Sequence, residues 1–217
     1  MRKLQRFDIM DYAQVEEKYQ EFKKKLDQTK KFRRIFLGEK LLFLFENTDM
    51  VKNHILETVR RDKLFDEHDL NRLLDIYNQL IAGPGELRCT MIILNDIEWE
   101  RSKRVKLWKE LSAHIYLVMD DGHKVYGESP EVLVANQHPC SMRVLKFACG
   151  NQFPKSLGAD YPDDSGYYKE IKLTTSQQNA LHEDLEPEES DDKSHLAETT
   201  EELRYRGGHS WDKTLSE

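Results

Sequence analysis

The chain has 217 residues and a mass of 25.7 kDa, which suffices for one domain with a substantial core or for two small ones. Its formal net charge is −7, 34% of its residues are charged and its mean hydropathy is −0.76. No segment offers the roughly 18 apolar residues of a membrane helix, and no apolar stretch follows the basic N-terminus, so we expect neither a membrane span nor a signal peptide. Three scattered cysteines argue against a disulfide scaffold. These features predict a globular protein of the reducing cytoplasm.

The N-terminal half of the sequence has mainly helical periodicity. Apolar residues recur every three or four positions in three segments, each preceded by a residue that can cap a helix. A short apolar and aromatic run, Leu41–Phe45, instead indicates a buried strand. The predicted order is a helix from Asp8 or Asp11 to about Lys31, the strand, a helix from Asn47 or Thr48, and a helix from Asp66 that Gly83-Pro84-Gly85 ends.

The C-terminal half changes to the spacing typical of strands. Asp121-Gly122 is a hairpin signal, and the Pro, Gly and Asp residues between Gly150 and Gly166 predict a loop. Strands that follow strands through short links predict an α+β fold, with a mostly antiparallel sheet and several helices packed on it. The predicted strands are 87–94, 114–119, 124–126, 131–135, 141–148 and 168–173, and the predicted helices are 96–111 and 174–182.

Negative charge is concentrated at the C-terminal end. Residues 183–217 carry 12 acidic and 4 basic residues, so their net charge of −8 leaves the preceding part close to neutral. The segment has few apolar side chains to offset the entropy of ordering it. We therefore predict a single α+β domain over 1–183 and a disordered acidic tail over 184–217. Trp211 in that tail is either a docking anchor or an incidental tryptophan.

Positive charge is concentrated in the segment Lys23–Arg34, which carries seven basic residues and one acidic residue. Such a patch can bind phosphate groups. The same residues can equally form the solvated face of a helix that turns Phe22 and Leu26 inward. Because the body of the chain is close to neutral, we favour the solvated face and keep nucleic-acid binding as the weaker alternative.

The sequence contains no phosphate-binding glycine loop, no CxxC pair, no HExxH and no GxSxG motif. A weaker polar cluster remains. His54 and Glu57 share a face of the predicted second helix, with Arg60 one turn further on, and Tyr77 and Asn78 lie near the end of the third. The functional interpretation is a ligand site of Glu57, Arg60, Tyr77 and Asn78, with His54 and Glu57 as metal ligands. The alternative is an exposed helix face with charge pairs.

Short motifs spread through the chain indicate a family resemblance. They are Ile9-Met10-Asp11-Tyr12, Arg33-Arg34, Phe45-Glu46, Tyr77-Asn78, Leu87-Arg88-Cys89-Thr90 and Asp160-Tyr161-Pro162. With them the chain, over about residues 1–185, resembles a bacterial family of uncharacterised proteins catalogued as domain of unknown function thirty-five-oh-one. It departs from the family at His54 and Leu56, where the family carries glutamines, and at Leu94, where the family tends to have an acid.

The resemblance implies a bacterial, cytoplasmic protein, and the gene setting of the family implies a rubrerythrin-like or iron–sulfur protein as partner. The leading expectation is therefore a non-enzymatic accessory or interaction protein in a redox or iron-linked setting. The alternative is an enzyme or a binder of a small ligand or metal that uses the polar cluster around Glu57, Arg60 and Asn78. Neither the residues nor the resemblance assigns a substrate or a cofactor.

Overall fold

The structure is a computed structural model that describes residues 1–94, 110–129, 142–162 and 167–186. The chain divides into two compact units, residues 1–187 and 188–217, and every described residue belongs to the first. The predicted acidic tail beyond residue 186, the predicted strand 131–135 and most of the predicted helix 96–111 lie outside the described residues. Among the described helices, none combines the length and apolar character needed to cross a bilayer.

The described residues form four α-helices and eight strands. The helices are α1 (Tyr12–Arg33), α2 (Thr48–Asp62), α3 (Glu67–Tyr77) and α4 (Thr175–Leu185). The strands are β1 (Arg34–Leu37), β2 (Leu41–Phe45), β3 (Glu86–Ile93), β4 (Ile115–Met119), β5 (Lys124–Tyr126), β6 (Met142–Ala148), β7 (Pro154–Tyr161) and β8 (Tyr167–Lys172).

The strands form two four-stranded sheets, in the order β1-β2-β3-β6 and β5-β4-β7-β8. Every pair of neighbouring strands is antiparallel. The predicted α+β class is therefore confirmed, although the strands divide between two sheets instead of forming one. The helices with predicted caps also begin where expected, since the side chains of Asp11, Asn47 and Asp66 accept hydrogen bonds from the first turns of α1, α2 and α3.

The loop predicted between Gly150 and Gly166 was wrong, because Pro154–Tyr161 is a central strand of the second sheet. Pro154 occupies the first position of β7, which is one of the few strand positions that tolerate proline. Gly158 lies against the ring of Tyr116, and a Cβ atom at residue 158 would come within 2.4 Å of that ring. The residues that indicated a loop are therefore accommodated within the sheet.

The two faces of the first sheet contact different layers. One face packs against the second sheet, and their shared core contains Phe43, Phe45 and Phe147, all fully buried. The other face lies under the helices, where Val144 of β6 packs against a separate apolar cluster that includes Ile55 of α2. The first sheet is thus the middle of three layers, with the helices on one side and the second sheet on the other.

The last helix, α4, belongs to the folded unit through its final residue. Leu181 and Leu185 are part of the core between the sheets. Asp184 is buried and forms an ion pair with Arg33, the last residue of α1. Burial raises the pKa of Asp184 to about 6, against the lowering effect of the Arg33 charge. The domain limit predicted at residue 183 therefore falls inside α4.

Candidate functional site

Glu46 is a buried carboxylate on the helix-facing side of the first sheet. It directly follows β2, and its backbone N–H donates to the carbonyl oxygen of Arg88 on β3 at 2.9 Å. The next residue, Asn47, caps α2, so the chain turns from sheet to helix immediately after the carboxylate. The side chain of Glu46 consequently lies between β3 and α2 and is only 3% exposed.

The two oxygens of the Glu46 carboxylate have different surroundings. Oε1 accepts a hydrogen bond of 3.0 Å from the hydroxyl of Thr90 on β3. Oε2 is buried and accepts no hydrogen bond from the residues that the structure describes. The imidazole Nε2 of His54 on α2 lies 3.4 Å from Oε2, close enough for an ion pair when the ring is protonated. One oxygen is thus held in place while the other retains unused capacity to accept a hydrogen bond.

His54 connects this carboxylate to the surface. Its side chain is 23% exposed, and its ring stacks on the ring of Tyr77, with centroids 6.4 Å apart. The hydroxyl groups of Tyr77 and Thr58 are 3.1 Å apart, and Thr58 also donates to the backbone oxygen of His54 at 2.9 Å. A carboxylate beside a supported imidazole can bind a cationic or N–H donor, or can move a proton. We name Glu46, Thr90, His54, Thr58 and Tyr77 the Glu46–His54 site.

The structure does not bring all residues of the predicted ligand site together. Tyr77 joins the site just described, but Arg60 points to α1, where it pairs with Glu16 at 2.8 Å and lies over the ring of Tyr19. Asn78 holds the N-terminal segment, because its side-chain amide both accepts from and donates to the backbone of Leu4, each at 2.8 Å. Asn78 therefore has a structural role at the N-terminal segment.

Glu57, the centre of the predicted cluster, is half-buried on α2. Its charge acts on Arg61, whose pKa is raised mainly by a hydrogen bond to Asp62 and to a smaller degree by Tyr77 and Glu57. Within the described part of the chain, no group of three or more His, Cys, Asp or Glu residues is placed to hold a metal. The predicted metal pair of His54 and Glu57 thus gains no further ligand among those residues.

These geometries can be set beside known proteins. Residues 3–185 match the family described as protein of unknown function DUF3501. The chain belongs to this family. It is also similar to a crystal structure of a protein of unknown function from Burkholderia pseudomallei K96243, with a TM-score of 0.72 and 22% identity over 85% of this chain and 100% of that chain. No curated protein matches the chain.

Family membership and the shared fold confirm the resemblance seen in the motifs, and several of those motif residues meet at one place. Glu46, Tyr77 and Thr90 come from three separate motifs, yet all three belong to the Glu46–His54 site. The polar side chain of Glu46 directly after an apolar strand was a signal for this site, but its position in the sequence could not show that Thr90 and His54 are its neighbours.

Neither described cysteine is suited to act as a thiolate in this family member. Cys89 of β3 is fully buried, and burial, with a smaller contribution from the Glu46 charge, raises the pKa of its thiol. Burial also raises the pKa of Cys149 to about 12. Both thiols stay protonated at neutral pH, and reactive cysteines require the opposite shift. Cys140 lies outside the described residues.

The basic segment Lys23–Arg34 is interrupted by a buried residue. Arg33 is 4% exposed and binds Asp184 and the carbonyl oxygen of Ala180. The neighbouring Lys23, Lys24 and Lys25 are exposed on α1, and Lys25 lies 3.8 Å from Asp49. One of the seven basic residues thus pairs inside the fold, whereas these three lysines lie on an exposed face of α1.

Proposed function

We propose that this protein binds a small molecule that donates a hydrogen bond to Oε2 of Glu46. The observation that carries the proposal is that this buried oxygen accepts no hydrogen bond from the described residues and has only the imidazole of His54 3.4 Å away. Leaving a buried acceptor unsatisfied costs about 1–3 kcal/mol, and more for a charged group. A bound ligand that supplies the missing donor would remove this cost, which explains why the position carries a carboxylate instead of an apolar side chain.

The surroundings of Glu46 support a binding role. Thr90 holds Oε1 and so fixes the direction in which Oε2 presents its lone pairs. The partly exposed ring of His54 lies at the same oxygen, on the side that reaches solvent. A ligand that enters beside His54 would exchange the contact between the imidazole and the carboxylate for its own hydrogen bond.

Titration with ethylamine hydrochloride, followed by amide chemical shifts in NMR, tests the proposal. Ethylammonium offers three donors and little else, so it probes the unused acceptor alone. We expect saturable shifts centred on Glu46, Thr90 and His54. The Glu46→Gln variant keeps the size of the side chain but removes its charge, and it should lose at least about tenfold in affinity, which corresponds to about 1.4 kcal/mol.

Glu57→Gln is the matched control, because it makes the same change at a half-buried glutamate of α2. Its affinity for ethylammonium should equal that of the original protein. Shifts that do not saturate, or binding that survives Glu46→Gln, would contradict the proposal. Loss of binding in Glu57→Gln alone would instead place the ligand at the cluster predicted from the sequence.

We propose in addition an accessory role beside a rubrerythrin-like or iron–sulfur protein. The family resemblance supports it, as do the rings of Phe7 and Phe65, which are 77% and 70% exposed and offer apolar contact surface. The test is capture of the tagged chain from its native cells, with iron measured in the eluate. We expect co-purified iron that is lost in the double variant Phe7→Ser, Phe65→Ser, and an iron-free eluate from the original chain would end the proposal.

A further inference from the structure

A second buried polar atom without a partner among the described residues belongs to Arg88, the residue of β3 whose backbone pairs with Glu46. Nε of Arg88 is buried and donates no hydrogen bond within the described part of the chain. The rest of this guanidinium group is occupied, since Nη1 donates to the carbonyl oxygen of Gln79 and Nη2 lies 3.9 Å from the carboxylate of Glu86. These contacts hold the guanidinium group in place while leaving one N–H donor unused.

The register of the first sheet makes Arg88 the cross-strand neighbour of Glu46. Phe45 pairs with Cys89, and the bond from the N–H of Glu46 to the oxygen of Arg88 continues this pairing by one residue. Side chains at such opposed positions share a face of the sheet, and their Cβ atoms are about 5 Å apart. Although Glu46 and Arg88 carry opposite charges, no ion pair or hydrogen bond joins their side chains.

An anionic acceptor and a cationic donor, each with one atom that has no hydrogen-bond partner among the described residues, therefore belong to opposed residues on the helix-facing side of the sheet. Charge-assisted hydrogen bonds are the strongest that either group can form. The complementary ligand carries a cationic donor for Glu46 and an anionic acceptor for Arg88, separated by a short link. A primary ammonium and a carboxylate on one carbon atom have this arrangement, which is the common part of every α-amino acid.

We propose that the ligand of this site is a small zwitterionic α-amino acid, whose ammonium group binds Oε2 of Glu46 and whose carboxylate accepts from Nε of Arg88. This inference rests on the proposed function and adds the second anchor. Thr90 lies two residues from Arg88 on the same face, with Val144 as its neighbour on β6, so we take the side chain of the ligand to be small. L-alanine and L-serine are the probes that follow from this.

Isothermal titration calorimetry with L-alanine, ethylamine and propionate separates the two anchors. Ethylamine lacks the carboxylate and propionate lacks the ammonium group, but both keep the carbon chain. We expect L-alanine to bind at least about tenfold more tightly than either fragment, a difference of about 1.4 kcal/mol. L-serine should bind within about threefold of L-alanine, since its hydroxyl group adds only one atom.

Variants of the two anchors assign each half of the ligand. Arg88→Lys keeps the positive charge but removes the Nε donor, and it should weaken L-alanine and propionate by at least about tenfold while leaving ethylamine unchanged. Glu46→Gln should weaken L-alanine and ethylamine but not propionate. Arg34→Lys, at an exposed arginine of the same sheet, is the matched control and should change none of the three. Circular dichroism melting confirms that each variant is folded.

The outcomes separate this inference from the proposed function. If ethylamine binds through Glu46 while Arg88→Lys leaves L-alanine unaffected, the amino-acid assignment is overturned and the proposed function stands. If neither L-alanine nor ethylamine binds, both are overturned, and the two buried atoms are satisfied by water alone. Binding of L-alanine that depends on both Glu46 and Arg88 supports both.

Discussion

The two faces of the first sheet differ sharply in what they bury. Toward the second sheet the side chains are apolar throughout β2, as in Leu41, Phe43 and Phe45. Toward the helices, the same sheet buries the carboxylate of Glu46, the hydroxyl of Thr90 and part of the guanidinium group of Arg88. Two of these polar groups retain an atom that has no hydrogen-bond partner in residues 1–94, 110–129, 142–162 and 167–186.

This difference separates the residues that stabilise the fold from those that reduce its stability. Apolar burial between the sheets contributes about 25 cal/mol for each Å² removed from water. An unsatisfied polar atom in the other layer has the opposite effect, since it lost its water without gaining a partner. A protein that keeps such atoms beside an otherwise apolar core is expected to use them in binding. Substitutions on each face of the sheet test the difference between the two faces.

The largest effect is expected for Phe43→Ala in the core between the sheets. Phe43 has 0% accessible surface. Its truncation therefore leaves a cavity and should lower the free energy of unfolding by about 3–5 kcal/mol. Urea denaturation measures this change. Phe36→Ala on β1, where the ring is 49% exposed, is the control and should cost less than about 1 kcal/mol. Equal losses would show that the two faces do not differ as described.

A buried carboxylate that pairs with an arginine should affect stability differently from Glu46, which lies beside a histidine. Asp184 pairs with Arg33, and both side chains are at most 6% exposed. Arg33→Met leaves the Asp184 carboxylate buried without its counter-charge, and we expect a loss of about 3 kcal/mol at pH 7. Asp62→Asn, which breaks the exposed pair with Arg61, should change stability by less than about 1 kcal/mol in the same denaturation experiment.

The raised pKa of Asp184 predicts that the stability of the protein depends on pH. The pKa of Asp184 is raised in the folded state from its ordinary 3.8 to about 6. The folded state therefore holds this proton more tightly, so the contribution of Asp184 is complete below pH 3.8 and is lost as the pH rises through 6. From pH 4 to pH 7 the original protein should lose about 2 kcal/mol relative to Asp184→Asn. Parallel pH profiles of the two proteins would contradict this.

Glu46→Gln should raise the free energy of unfolding, whereas the substitutions of Phe43 and of the Arg33–Asp184 pair should lower it. The amide keeps an oxygen for Thr90 and removes the charge of the unsatisfied Oε2, so without ligand the free energy of unfolding should rise by about 1 kcal/mol. Thermal unfolding followed by circular dichroism detects the change, with Glu57→Gln as the unaffected control. A loss of stability would mean that the carboxylate is satisfied in solution, and the contrast between the two faces would then disappear.

The smallest effect is expected when residues 188–217 are removed. This segment is strongly acidic and poor in apolar residues, so it has little to add to either core. The melting temperature should change by less than about 2 °C, which for a domain of this size is below 1 kcal/mol. A fall of several degrees would show that the segment covers part of the folded unit.

The elements fixed by local interactions could be predicted from the sequence. Asp11, Asn47 and Asp66 cap helices through hydrogen bonds to residues only two or three positions away, and Leu41–Phe45 forms the predicted strand with its bounds unchanged. Composition and spacing within a few residues contain this information.

The elements that depend on distant partners could not be predicted. β1 follows α1 without a break, and its extended form depends on pairing with β2. β7 lies between β4 and β8, and its Gly158 is explained only by the ring of Tyr116, more than forty positions earlier. The candidate site has the same property, because Glu46 meets Thr90 across the sheet and His54 from the helix layer.

The side-chain amide of Asn78 forms two hydrogen bonds with the backbone of Leu4, one as acceptor and one as donor, as the backbone of a neighbouring strand would. Residues 1–5 belong to no helix or strand, yet Leu4 is buried and its N–H and C=O are both satisfied. Its amide proton should therefore exchange with deuterium on the timescale of partial unfolding and not of a freely moving terminus. A segment held in this way should also resist proteolysis for as long as the surrounding fold is intact.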